Sequence, residues 1–338
     1  MALLQIRDLC IDYRTTAGTA RAVDKLSLDI EEGEYLGLVG ESGCGKSTIA
    51  KAVLGILPRN GAVAEGDILF RGRSLPHSSL QELNRLRWRD IAMVPQSAMN
   101  GFDPVYTIEA QINEAIDTHV SWSREQKRKR IDELFAFVGL ERGRAHDFPH
   151  QFSGGMRQRA MIAMAMALDP GFIVADEPTT GLDVIVQDQI LHRIKEIHTR
   201  FGKTMLLITH DMAVVAENCD RIAVMYAGKL VEHGAHNVFE TPFHPYTMGL
   251  CNAFPDLADR GRELISIPKA PPNLLTPPVG CRFADRCPFA AARCRAEAPA
   301  LVEVGPGHVA ACHFIDRAAE FRMKARDIGT WQGAAAAA

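Results

Sequence analysis

Apolar and polar positions change period several times along this chain of 338 residues. Residues 3–9 and 26–30 alternate, which predicts half-buried strands. Tyr35-Leu36-Gly37-Leu38-Val39 is a short apolar run of the kind a fully buried strand shows. Residues 46–57 are apolar at helical spacing and stop before Pro58, and strands are predicted again at 66–70 and 91–94. Residues 107–168 read as mainly helical. There Ser123-Arg124-Glu125-Gln126 forms a capping box, and Ile131, Leu134, Phe135 and Val138 follow on one helix face. Strand character returns at 172–175, 204–209 and 221–226, with a helix at 183–201 after the first of these. Strand–helix alternation on both sides of a helical insert predicts an α/β fold, a mostly parallel sheet carrying an α-helical subdomain.

An apolar content of 47% and a charged content of 23% are ordinary for a globular protein. The net charge of −3 argues against a general nucleic-acid binder. The longest apolar helical run, residues 160–168, is nine residues and stops at Asp169-Pro170, too short to span a bilayer. The first residues lack the basic stretch and long apolar region of a secretory signal, so the chain is expected in the cytosol, with membrane contact only through partner subunits. Composition shifts after about residue 235. Residues 1–235 are expected to form one domain, with the helical subdomain at about 97–170. Residues 236–338 form an extension with an extended linker at about 267–280, where five prolines fall in 268–280. The alanine tail 334–338 is assigned no role.

Three motifs carry chemistry. Gly40-Glu41-Ser42-Gly43-Cys44-Gly45-Lys46-Ser47-Thr48 is a phosphate loop: its glycines let backbone N–H groups converge on phosphate oxygens, Lys46 adds a point charge, and Ser47 offers a hydroxyl to Mg²⁺. The helix that follows turns its positive end toward the anion. Ser153-Gly154-Gly155-Met156 opens a second helix, with Ser153 as N-cap and glycines that allow an anion close. Phe172-Ile173-Val174-Ala175 is an apolar strand ending in Asp176-Glu177.

In this order the three motifs resemble the ATPase subunits of ABC transporters. The resemblance implies a phosphate-loop ATPase fold with an antiparallel β subdomain and a helical signature subdomain. It implies ATP held by Gly40, Ser42, Gly43, Cys44, Gly45, Lys46, Ser47 and Thr48, with Tyr13, 27 residues before Gly40, against adenine. Mg²⁺ would be held by Ser47, Gln96 and Asp176, Glu177 would polarise the attacking water, and His210 would contact the γ-phosphate. Ser153, Gly154, Gly155 and the Asp183 of Thr180-Gly181-Leu182-Asp183 would serve a nucleotide bound by a second subunit. Phe152 stands where the family's signature has leucine, an apolar replacement.

Eight cysteines include a late group, Cys281-x5-Cys287-x6-Cys294-x17-Cys312, without the C-x-x-C pair of common zinc sites. Together with His244-Pro245-Tyr246-Thr247, the stretch Cys281-Arg282-Phe283-Ala284-Asp285-Arg286-Cys287-Pro288 resembles the C-terminal extension of dipeptide, oligopeptide and nickel importer ATPases. That resemblance implies a [4Fe–4S] cluster on the four cysteines. Zinc or unliganded thiols are the alternatives, with His308 and His313 as rival ligands. The function implied is ATP hydrolysis that powers solute import, with a second and paralogous ATPase subunit, two transmembrane permease subunits and an external solute-binding protein. The place implied is the cytoplasmic face of the bacterial inner membrane. A soluble ABC ATPase acting on ribosomes or DNA would carry two cassettes or a long coiled coil, and a non-catalytic subunit would have lost Glu177 or His210.

Overall fold

The computed structural model describes residues 2–96, 101–253 and 264–336. Residues 97–100, where the helical subdomain is expected to begin, and the last two alanines of the tail lie outside the described residues. Among the described residues the strands are β1 Ala2–Thr15, β2 Gly18–Glu31, β3 Tyr35–Val39, β4 Gly61–Phe70, β5 Arg73–Ser74 and β6 Ile91–Val94. They continue as β7 Phe172–Asp176, β8 Thr204–Thr209, β9 Arg221–Tyr226, β10 Lys229–Gly234, β11 Val302–Gly305 and β12 His308–Ala310. The chain packs as two compact units. One holds residues 1–2, 30–35 and 77–208, and the other holds 3–29, 36–76 and 209–338.

In the first unit β6, β7 and β8 pair in parallel. All five residues of β7 and all six of β8 are buried, as expected of strands covered on both faces. The helices Ile108–Asp117, Arg124–Phe137 and Gly154–Ala165 realise the predicted helical stretch. The capping box forms as read: Ser123 Oγ accepts from Gln126 N–H and the Gln126 side chain accepts from Ser123 N–H. Ile131, Leu134, Phe135 and Val138 are all buried. The helix predicted at 183–201 is Val184–Phe201, capped by Asp183 and ended by Gly202 at φ 63°.

In the second unit β2, β1, β4 and β5 form an antiparallel sheet. A second ladder runs β11-β12-β10-β9-β3; its β3–β9 pair is parallel and the rest are antiparallel. The parallel pairs expected of the core are β6–β7–β8 in the first unit and β3–β9 here, and β10, β11 and β12 add antiparallel pairs that make the whole mixed. The reason is local: the turn Ala227-Gly228, with both residues at positive φ, folds β10 straight back on β9. The residues after 235 belong to this unit. They contribute the helix Pro245–Ala253, the short strands β11 and β12, and the helices Ala318–Lys324 and Ile328–Ala336.

One buried carboxylate ties this extension to β10. Glu232, fully buried, accepts hydrogen bonds from Phe243 N–H at 2.7 Å, His244 N–H at 2.9 Å and His308 Nε2 at 2.8 Å. His244 is itself buried, which pushes its imidazole down to about 3, so the neutral ring can accept from Tyr246 N–H. Glu232→Ala leaves these donors buried without an acceptor, and the expected cost is about 3–5 kcal/mol. A fall in the thermal midpoint well beyond that of Glu232→Gln checks it.

Candidate nucleotide site

The phosphate loop follows β3, whose five residues are all buried. Gly40 has φ 152°, and a Cβ there would lie 2.2 Å from Met225 O. Gly45 has φ 110°, and a Cβ would lie 2.5 Å from Ala22 O. Only glycine fits at either point, which is why the loop can curl tightly at the end of β3. The helix Lys46–Val53 then starts from Gly45 with no side-chain cap and no acidic residue in its first turn. The positive end of its dipole, with no carboxylate in that turn to offset it, favours an anion there.

Lys46 is buried, and its Nζ donates to Gly40 O at 2.6 Å and Glu41 O at 3.0 Å. Ser42 and Gly43 stand exposed at the rim, while Cys44 is buried and its thiol is pushed up by that burial. Tyr13, half-buried on β1, donates from its hydroxyl to Thr48 Oγ1 at 3.3 Å. Its ring lies against Gly61, where a Cβ would come within 2.7 Å of it. The aromatic ring expected near a purine thus lies beside the helix that carries Ser47. His210 is exposed at the C-terminal end of β8. Its neighbour Asp211 caps the next helix by accepting from Ala213 and Val214 N–H.

In the first unit β7 carries Asp176, 3% exposed, to its C-terminal end. Glu177 follows with φ 44°, in the left-handed region, and its N–H donates to Ile208 O at 2.8 Å. Its carboxylate accepts from Gln96 Nε2 at 2.7 Å and from Thr180 Oγ1 at 3.0 Å. The structure thus joins Gln96 and Glu177, 81 residues apart, in one contact. Sequence reading assigned no role to Thr180. Its signal was present, three residues beyond Glu177 and inside the turn that leads to Asp183.

The second anion-type turn lies in this unit too. Ser153 is exposed and caps the helix Gly154–Ala165 by accepting from Met156 N–H, and that helix has no acidic residue in its first turn. Gly154 packs against the turn before Val184–Phe201 and Gly155 against the first turn of that helix: Cβ atoms there would lie 3.5 Å from Leu182 Cδ2 and 2.5 Å from Val186 Cγ1. Asp183 is exposed and accepts from Val186 N–H, while Gln187 Nε2 holds the carbonyls of Thr179 and Leu182. The two glycines therefore pack on the segment that carries Asp183. Val184 and Ile185 extend it with apolar side chains that are 80% and 72% exposed.

The four late cysteines line one small cavity of about 20 Å³ with Phe283, Phe289, Phe314 and Phe321. Burial pushes the thiols of Cys281 and Cys312 up to about 11 and raises that of Cys287 as well. His308, a rival ligand by spacing, is taken by Glu232, whereas His313 lies at the cavity wall. Among the described residues, no group of three or more His, Cys, Asp or Glu is arranged to hold a single metal ion.

Gly155→Ala forces a methyl group onto the stiff, branched Val186. It should lower stability by about 1–3 kcal/mol, and adding Val186→Ala should recover most of that loss. Thermal unfolding of the single and double variants checks it.

Comparison with known proteins places these features. Residues 23–180 match the ABC transporter family model, and residues 231–294 match the oligopeptide/dipeptide transporter C-terminal region. A probable peptide ABC transporter ATP-binding protein of Sinorhizobium fredii is 45% identical over 92% of this chain and 94% of its own length. The dipeptide transport ATP-binding protein DppD of Lactococcus lactis is 42% identical over 93% and 91%. The oligopeptide transport ATP-binding protein OppD of Escherichia coli is 43% identical over 92% and 93%. A dimeric ATP-binding cassette, MJ0796, solved in a post-hydrolysis state bound to ADP and Pi, superposes with a TM-score of 0.63 at 28% identity. It covers 69% of this chain and 98% of its own. Among the described residues no helix is long and apolar enough to cross a membrane. The chain belongs to the ABC transporter ATPases, in the family of the dipeptide and oligopeptide transport ATP-binding proteins.

Proposed function

We propose that the chain is the ATP-hydrolysing subunit of a binding-protein-dependent importer for dipeptides, oligopeptides or a related solute. It would work at the cytoplasmic face of a bacterial inner membrane, with a paralogous ATPase subunit, two transmembrane permease subunits and an external solute-binding protein. The relatives named for dipeptide and oligopeptide transport support the solute class. The observation that carries the mechanism is the exposure of Ser153 and of Asp183, Val184 and Ile185. A helix end open to an anion, flanked by bare apolar side chains, is what a half-site awaiting a second subunit presents.

In this reading the phosphate-loop N–H groups and Lys46 hold the phosphates, and Lys46 exchanges its loop carbonyls for them. Mg²⁺ supplies charge neutralisation at the transferring phosphoryl group. Ser47, Gln96 and Asp176 would hold it, and a carboxylate at the end of an apolar strand is the oxygen donor a hard cation takes. Glu177 accepts the proton of the attacking water, oriented by Gln96 and Thr180. His210 contacts the γ-phosphate, and Ser153, Gly154, Gly155 and Asp183 meet the nucleotide held by the partner. ATP closes the pair and hydrolysis reopens it, which drives the permeases between inward- and outward-facing states. In Glu177→Gln, ATP binding should persist while turnover falls about 10²–10⁴-fold. Unchanged steady-state turnover would remove Glu177 from this role.

Cys281, Cys287, Cys294 and Cys312 would hold a [4Fe–4S] cluster. Buried thiols that resist ionisation need a metal's charge to become thiolates. All four cysteines line one cavity, and four thiolates are the donor set that such a cluster takes. Its role would be structural. Protein purified without oxygen should be brown and carry iron and acid-labile sulfide in equal amounts. Colourless protein with one equivalent of zinc reverses the assignment.

A further inference from the structure

The phosphate loop is gripped from the cysteine segment. Arg286, the residue before Cys287, is 4% exposed and binds the Glu41 carboxylate through both ends of its guanidinium, Nη1 to Oε2 at 2.6 Å and Nη2 to Oε1 at 2.9 Å. Its Nε donates to Pro268 O at 2.7 Å, its Nη1 also donates to Tyr226 Oη at 3.1 Å, and its plane lies over the Tyr226 ring. Glu41 is the second residue of the loop, and its N–H donates to the hydroxyl of the fully buried Tyr246 at 2.8 Å. Tyr246 packs on Tyr226 and Phe283, with ring centres 4.6 and 5.4 Å away. A second brace starts at Arg282, the residue after Cys281. It binds Asp24 at 2.7 Å and the Ala227 carbonyl, and the adjacent Gly228 N–H donates to Cys44 O at 2.9 Å. The loop is thus held near both ends, at Glu41 and at Cys44.

We propose that the C-terminal extension is a clamp that sets the phosphate loop for nucleotide, with Arg286 and Tyr246 as positioning residues. The inference rests on the nucleotide-site reading above and adds to it a dependence on residues beyond 235. Glu41 is an anion inside an anion-binding loop. A bidentate, nearly dry guanidinium neutralises it and fixes its backbone at once. Without that partner the carboxylate turns free beside the arriving phosphates and repels them.

The test is equilibrium binding of a fluorescent ATP analogue to the full chain. Arg286→Ala should weaken binding about tenfold or more, and Arg286→Lys, which keeps charge but not the fork, should fall between it and the unaltered chain. Glu41→Gln added to Arg286→Ala should tighten binding again, because it removes the unpaired charge. Arg293→Ala, which breaks an exposed pair with Glu297 in the same segment, should change nothing. Binding by Arg286→Ala equal to that of the unaltered chain, or a double variant no tighter than Arg286→Ala, overturns the clamp. If Arg286→Ala does not fold, Tyr246→Phe decides: weaker binding at an unchanged melting temperature supports the clamp, and unchanged binding overturns it. Lys46→Ala separates the two readings. If it abolishes binding while Arg286→Ala binds as the unaltered chain does, the clamp falls and the phosphate loop stands. If Lys46→Ala binds normally, the phosphate-loop reading fails and takes the clamp with it.

Discussion

A loop can offer a row of backbone N–H groups to a phosphate only if its curvature is fixed before the phosphate arrives. In this chain that constraint governs the second unit. Gly40 and Gly45 supply left-handed geometry that no side chain tolerates against Met225 O and Ala22 O. The buried strand β3 sets where the loop begins, and Lys46 bonds back to the loop's own carbonyls. The two arginines that lie between the first two cysteines of the late group complete the frame. Preorganisation of this kind moves the ordering cost from the binding step to folding.

The first unit solves a different problem, that of keeping two adjacent carboxylates in different surroundings. Asp176 ends an apolar strand, whereas Glu177 is turned out of strand geometry at φ 44°. That conformation costs roughly 1 kcal/mol or more, and the bond from Glu177 N–H to Ile208 O and the contacts of its carboxylate to Gln96 and Thr180 offset it. Strain at a single non-glycine residue beside three hydrogen bonds marks a place where geometry matters more than local stability.

Much of this was legible in the amino-acid order. The strands at 172–176 and 204–209 announce themselves as unbroken apolar runs, and the helix Arg124–Phe137 by its capping box and buried face. The phosphate loop is legible because glycines, lysine and serine at fixed spacing have few other uses. What escaped was long-range and polar. β10 and β12 pair through only Glu232↔Ala310 and His233↔Val309, too short a stretch to leave a periodic signal. Arg286 looks like any surface arginine until Tyr226, Tyr246 and Glu41 close around it from sequence distances of 60, 40 and 245 residues. Glu232 likewise sits in a strand pattern that gives no hint of burial with three donors.

The short strands β11 and β12 also shield the molecule from its own kind. β10 would otherwise present a bare row of backbone donors and acceptors, the template on which chains stack into aggregates. β12 covers that row at Glu232 and His233, and β11 ends the ladder after four residues with Val302 and Glu303 both exposed. A brief strand carrying a bare negative charge is a poor surface for another chain to zip onto. The extension thereby leaves this protein, in a crowded cell, with no long unguarded sheet margin along β10.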